Sequence, residues 1–191
     1  MGRLIVSMNV SLDGFIEAQG QDDGRWLRID DEVHGVFNEL AAGADAFVYG
    51  RKVYEVMIPY WPDAAEDAGK PDHEREYGRL WMRTPKVVVS TSLTESRWNT
   101  RVVSSDVGDA IARLKRDSER YVLCYGGSQL VAALEEHNLV DEYALFLHPA
   151  ALGAGVPLFR RAVNFQLLES RQFSNGALGL RYANVERSAQ S

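Results

Sequence analysis

The sequence predicts a three-layer α/β domain whose sheet is mainly parallel and gains antiparallel strands toward the C-terminus. Two observations carry this. Short apolar, β-branched runs alternate with helical patterns through the first two thirds of the chain, and a strand pair about Asn175-Gly176 closes it.

In order, Leu4 to Val10 mixes alternating and continuous apolar character, as a largely buried strand does, and ends at Asp13-Gly14. Glu17 to Arg28, rich in Gly, Gln and Asp, reads as a loop carrying Trp26. Asp30 or Asp31 can cap a helix with the apolar face Val33, Val36, Phe37 and Leu40, ended near Gly43. Ala46 to Tyr49 is a short strand that passes through Gly50 into a helix from Arg51 to Glu55. Pro59-Tyr60-Trp61-Pro62 is expected to break that helix, and residues 63–72 to form a polar loop. Helical spacing resumes from Glu74 to Met82. Lys86 to Thr91 is the clearest buried strand, with a shorter one at Arg101-Val102-Val103. A helix follows between Asp106 and Ser118, then a strand at Tyr121 to Tyr125, and Gly126-Gly127-Ser128 leads into a helix from Gln129 to Asn138. Tyr143 to His148 is a strand, Leu152 to Gly155 a turn-rich connection, and Phe165 to Phe173 with Leu178 to Val185 the closing hairpin.

A chain of 191 residues with 46% hydrophobic content suits one domain over residues 1–191, able to bury about 70% of its unfolded surface. Its 21 Lys+Arg against 27 Asp+Glu give a net charge of −6. Without a basic cluster it lacks what a nucleic-acid backbone requires. The apolar run at the start is too short for a signal peptide or membrane span, so a cytoplasmic location with no membrane partner is expected. The single Cys124 excludes an internal disulfide and, lying within an apolar strand, reads as a buried, unreactive thiol. His34, His73, His137 and His148 lack zinc-ligand spacing, and no metal is expected.

The chemistry concentrates at two strand-to-helix junctions, Gly50-Arg51-Lys52 and Gly126-Gly127-Ser128-Gln129. In a parallel sheet both lie at the carboxyl edge, where α/β proteins bind ligands. Glycine lets a phosphate approach the backbone, and helix N-termini offer free N–H donors. Either glycine alone can equally be a tight strand ending. Arg51 and Lys52 beside a helix start oppose its dipole, which suits an anion such as a 2′-phosphate; the plainer alternative is a surface pair with Glu55. Ser90, Thr91 and Ser92 offer hydroxyls at a strand end, or simply make a turn. Ser11-Leu12-Asp13-Gly14 is a tight turn that can also place a loop over a bound ring. Trp26, Tyr60 and Trp61 can stack on a heterocycle or be ordinary packing. No Gly-x-Gly-x-x-Gly, Gly-x-Ser-x-Gly, P-loop or His-Glu-x-x-His motif occurs.

Residues 9–16 (Asn-Val-Ser-Leu-Asp-Gly-Phe-Ile), Tyr49 to Glu55, Gly126 to Leu130, Leu139 to Glu142, and Pro149 through Leu152-Gly153-Ala154-Gly155-Val156-Pro157-Leu158-Phe159 together resemble the dihydrofolate reductase-like family. Within it, the chain is most similar to the branch that holds the C-terminal reductase domain of the riboflavin-biosynthesis protein. The resemblance implies a dihydrofolate reductase-like fold, a mixed and mainly parallel sheet flanked by helices. It also implies NADPH as cofactor, a small heterocyclic or phosphoribosylamino-pyrimidine-like substrate, and a homodimer. It assigns Gly50, Arg51, Lys52, Ser90, Thr91, Ser92, Gly126, Gly127, Ser128, Gln129 and Leu130 to the cofactor. Asn9 and Asp13 are the nearest polar candidates for catalysis, and Trp26, Tyr60 and Trp61 for substrate binding. The substrate side departs from the pattern: aligning Phe37 puts Val33 where folate reductases carry a carboxylate, and Tyr125 stands where the riboflavin branch has Glu. Two readings from other classes stand beside the reductase, a non-catalytic NADP-binding module and an interaction subunit without cofactor.

Overall fold

The computed structural model describes residues 2–20, 22–94 and 96–185, so Gln21 of the expected 17–28 loop lies outside the described residues. In chain order the elements are β1 (Arg3–Ser11), β2 (Phe15–Ala18), α1 (Asp31–Gly43), β3 (Ala46–Gly50), α2 (Arg51–Met57), α3 (Trp61–Glu66), α4 (Asp72–Arg83) and β4 (Lys86–Val89). There follow β5 (Thr100–Val103), α5 (Val107–Asp117), β6 (Tyr121–Cys124), α6 (Ser128–Glu136), β7 (Glu142–His148), β8 (Gly155–Pro157), β9 (Phe165–Gln172) and β10 (Leu178–Asn184). Eight strands make one sheet in the order β5, β4, β3, β6, β1, β7, β10, β9. All pairs from β5 to β7 are parallel, and β10 runs antiparallel to β7 and β9. The expected architecture is thus the observed one.

Strand alternation sorts side chains between the layers. Leu4, Val6 and Val10 of β1, Val48 of β3, and Val122 and Cys124 of β6 face Ile111 of α5 and Leu130, Val131 and Leu134 of α6. Ile5, Phe47, Tyr49, Val88 and Leu123 point the other way, onto Ala41 of α1, Tyr54 of α2 and Tyr77, Leu80 and Trp81 of α4. Burying each large side chain contributes about 1.5–3 kcal/mol, so the period-2 pattern fixes which helices lie on which face. Cys124 is fully buried, and desolvation pushes its thiol up to about 12.

Local chemistry explains the helix ends that position the site. Asp30 caps α1 by accepting the Val33 N–H at 3.0 Å, with Asp31 and Glu32 in the first turn complementing the dipole. Gly43 ends α1 against β6, where a Cβ would sit 2.0 Å from the Tyr121 hydroxyl oxygen.

Two expectations need correction. The 63–72 stretch is not one loop, because α3 occupies Trp61–Glu66 with Pro62 in its first turn. Proline is tolerated there because its missing N–H has no intrahelical acceptor in any case. Pro59 to Pro62 therefore separates two helices and opens the second. The 17–28 loop and the Leu152 to Gly155 connection also contribute to strands: β2 and β8 pair antiparallel as a separate two-stranded sheet. These strands are short, β8 opens on a glycine, and their pairing joins residues far apart in sequence. No helix among the described residues is long and apolar enough to cross a membrane.

Candidate functional site

The carboxyl edge of the parallel strands brings the two glycine junctions into direct contact. The Gly50 N–H donates to the Gly126 carbonyl at 2.7 Å, and a Cβ on Gly50 would lie 3.2 Å from that oxygen. Gly126 has φ +76, a backbone conformation that favours glycine, and a Cβ there would meet the Met8 sulfur at 2.8 Å and push that side chain aside. Gly127 differs, since its Cβ would meet only Ile16 Cδ1 at 3.9 Å. Backbone is thus laid open between β1, β2 and the start of α6.

Among the described residues, no side chain caps α6. The N–H groups of its first turn, at Ser128, Gln129 and Leu130, have no helical acceptor and carry the positive end of the dipole. Arg160, which the sequence reading did not single out, donates from Nη2 to Ser128 Oγ at 3.4 Å and adds a cation. Bare glycine backbone, open donors and an arginine fit a dinucleotide pyrophosphate. Arg160 follows Leu158-Phe159 directly, but nothing in its spacing links it to Ser128.

At the other junction, Gly50 pairs in register with Val89, so Arg51 stands beside the Ser90 loop. Arg51 Nη1 donates to both Glu55 carboxylate oxygens, at 2.9 and 2.8 Å. Lys52 is exposed and has no ion pair among the described residues. An exposed i,i+4 pair contributes only about 0.3–0.5 kcal/mol, so Glu55 does not withhold Arg51 from an anion. Ser90 is buried and its Oγ accepts from the Ser92 and Leu93 N–H groups, which is turn chemistry. Thr91 and Ser92 are exposed.

Asn9 lies on the α1 side of β1, one residue beyond Met8. Its Oδ1 is 2.9 Å from His148 Nε2, and His148 Nδ1 accepts the Arg28 N–H at 2.9 Å. The Trp26 ring meets the imidazole edge-on at 5.6 Å, and Trp26 Nε1 donates to the Asp22 carboxylate. His148 is fully buried; desolvation, then the Arg28 charge, lowers its pKa to about 4. It was legible only as a histidine without zinc spacing, because its partners lie 139 and 120 residues away.

Asp13 accepts from Ser11 Oγ at 2.6 Å and from the Leu152 and Gly153 N–H groups at 3.0 and 2.7 Å. The Ser11 hydroxyl and these backbone donors hold its carboxyl down at about 2. Asp13 is an anion that ties the β1–β2 turn to the connection before β8. Among the described residues, Tyr60 and Trp61 make no hydrogen bond or ring contact with Asn9 or Trp26. Tyr60 donates to Glu74, while Trp61 packs on Tyr77 at 4.4 Å and His34 at 5.9 Å. Val33 is fully buried, and Tyr125 stacks on Tyr49 at 5.2 Å. Among the described residues, no group of three or more His, Cys, Asp or Glu is arranged to hold a metal ion.

A family model described as the RibD C-terminal domain matches residues 3–178. The uncharacterized protein YyaP of Bacillus subtilis (strain 168) is 30% identical over 184 residues, 94% of each chain. A solved structure from Shewanella sp. PV-4, assigned to riboflavin biosynthesis, is 22% identical with a TM-score of 0.70 and covers 95% of this chain and 98% of its own. A diaminohydroxyphosphoribosylaminopyrimidine deaminase/5-amino-6-(5-phosphoribosylamino)uracil reductase from Thermotoga maritima is 17% identical with a TM-score of 0.63. The match takes in 96% of this chain and 56% of that one. The likeness to these two structures is one of fold.

Proposed function

The chain belongs to the RibD C-terminal domain family, and from that premise we propose that it is an NADPH-dependent reductase of a small heterocyclic substrate of the phosphoribosylamino-pyrimidine or dihydropteridine kind. The observation that carries the reading is the contact of Gly50 with Gly126 beside the uncapped start of α6 and Arg160. When bound, NADPH supplies a hydride. The protein's part is binding, orientation and exclusion of water.

Gly126 and Gly127 let a pyrophosphate reach the backbone, where the first N–H groups of α6 and the Arg160 guanidinium hold it. Arg51 and Lys52 take the 2′-phosphate, with Thr91 and Ser92 beside the adenosine. Trp26 and the β2–β8 pair cover the substrate end. At neutral pH Asp13 is a carboxylate and His148 an uncharged imidazole whose Nε2–H is already given to Asn9. Neither has a free proton to give a substrate at that pH.

Titration with NADPH and NADH, followed by tryptophan quenching, tests this. NADPH is expected to bind well below millimolar, that is, better than about −4 kcal/mol. Arg51→Ala should weaken NADPH by about 10- to 100-fold, the range for a lost charge-assisted hydrogen bond, and NADH far less. Absence of NADPH binding sinks the reductase reading. Equal losses for the two cofactors remove Arg51 from the 2′-phosphate site.

A further inference from the structure

The hydrogen bonds around His148 determine which way the Asn9 amide faces. The Arg28 N–H is a donor, so His148 Nδ1 must be the acceptor and carries no proton. An uncharged imidazole with bare Nδ1 has its proton on Nε2. Nε2 is 2.9 Å from Asn9, so the Asn9 atom facing it is the carbonyl oxygen. The amide nitrogen then points away from His148. Asn9 Nδ2 has no protein partner among the described residues, and Asn9 is only half-buried at the carboxyl end of β1. A backbone N–H can only donate, so the Arg28 amide fixes the order of these bonds.

We propose that His148 is a positioning residue that holds the Asn9 carboxamide with its NH2 toward the cleft, so that Asn9 selects substrates presenting a ring carbonyl oxygen. This rests on the reductase reading for what occupies the cleft, though not for the hydrogen-bond order. Folate reductases use a carboxylate that accepts N–H hydrogen bonds from an amino-substituted ring. Here Val33 is apolar and buried, and the polar group offered is a donor. The opposite hydrogen-bonding sense favours an oxo-substituted ring over an amino-substituted one. The imidazole is fully buried, with the Trp26 ring meeting it edge-on.

Two measurements test the proposal. First, histidine labelled with nitrogen-15 is followed by NMR between pH 5 and 8 without cofactor, His148 being assigned through its contact with the Trp26 ring. An uncharged ring protonated on Nε2 throughout is expected. A proton on Nδ1, or an imidazolium at pH 6, overturns the proposal. Second, uracil and 2,4-diaminopyrimidine are titrated into NADPH-saturated protein at pH 7. Uracil should bind at least about 10-fold tighter, one hydrogen-bonded acceptor exchanged for a facing donor. Asn9→Asp, which offers only acceptors, should reverse the order. His148→Leu, which frees the amide to turn, should collapse the preference, while His148→Gln, which keeps an N–H donor, should retain it. If His148→Leu does not fold, Asn9→Asp and the NMR measurement still decide. Binding of neither ring, or no reversal in Asn9→Asp, overturns the proposal. Failure of NADPH itself to bind instead removes the reductase reading and leaves the imidazole measurement standing.

Discussion

Burial of His148 without charge has a cost that depends on pH. Its folded pKa is about 4 against an ordinary 6.5, so below pH 6.5 the unfolded chain takes up a proton that the folded chain refuses. The contribution to stability is therefore complete above pH 6.5 and is lost as pH falls, by about 3 kcal/mol in all by pH 4. Asp13 has the same sign but a lower window, between its ordinary value near 3.8 and about 2. Urea unfolding of the wild type and His148→Gln from pH 8 to 4 should give a steeper loss in the wild type between pH 6.5 and 4. Parallel curves would remove His148 as the cause, since His34, also held below its ordinary value by burial and by His73, remains in both proteins. At this scale the sequence was uneven as a guide. Gly50, Gly126 and Gly127 stood out because glycine punctuates strand ends, whereas Asn9, Arg28 and His148 come together only through the fold.

The elements that shape the cleft were legible in proportion to their length. Apolar strands of four or more residues, such as β4 with three consecutive valines, and amphipathic helices such as α4 and α5 declare themselves in the sequence, but β8 has three residues and no period to read. It nevertheless closes against β2 and the turn after β1. The Leu158 N–H donates to Gly14 at 3.0 Å, and the Gln19 N–H to Ala154 at 3.1 Å. Gly155 is the tightest point, where a Cβ would come within 2.0 Å of the Glu17 carbonyl oxygen, a backbone atom that cannot turn aside. Gly155→Ala should destabilise by about 1–3 kcal/mol, as overpacking does. The loss should be local: hydrogen exchange at Leu158 and Gln19 should speed up while the β1 and β6 amides stay protected. Uniform acceleration across the sheet would instead mean that the β2–β8 pair belongs to the global folding unit.

At the scale of the whole molecule, the alternation of strands and helices gave the layers but left the strand order unread. Placing β1 between β6 and β7 comes from long-range pairing, and it alone puts Met8 beside Gly126 and Asn9 next to His148. The proposed cofactor site draws on β1, β3, β4 and β6 together with α6, so it exists only when the central sheet is assembled. A ligand held there binds the folded chain and not the unfolded one, and its binding energy adds to global stability as RT ln(1 + [L]/Kd). At 100 times Kd the gain is about 2.7 kcal/mol. For a chain of 191 residues, with about 2–4 °C of Tm per kcal/mol, NADPH at that level should raise Tm by roughly 5–11 °C. NADH at the same concentration should raise it less, because Arg51 and Lys52 have no 2′-phosphate to meet. The increment should shrink in Arg51→Ala for NADPH and stay nearly constant for NADH. Glu55→Gln, which removes the partner but keeps the arginine, should leave the NADPH increment intact or enlarge it, the exposed pair being too weak to compete with a phosphate. A smaller NADPH shift in Glu55→Gln than in the wild type would mean that the carboxylate's hold on Arg51 is part of the phosphate site.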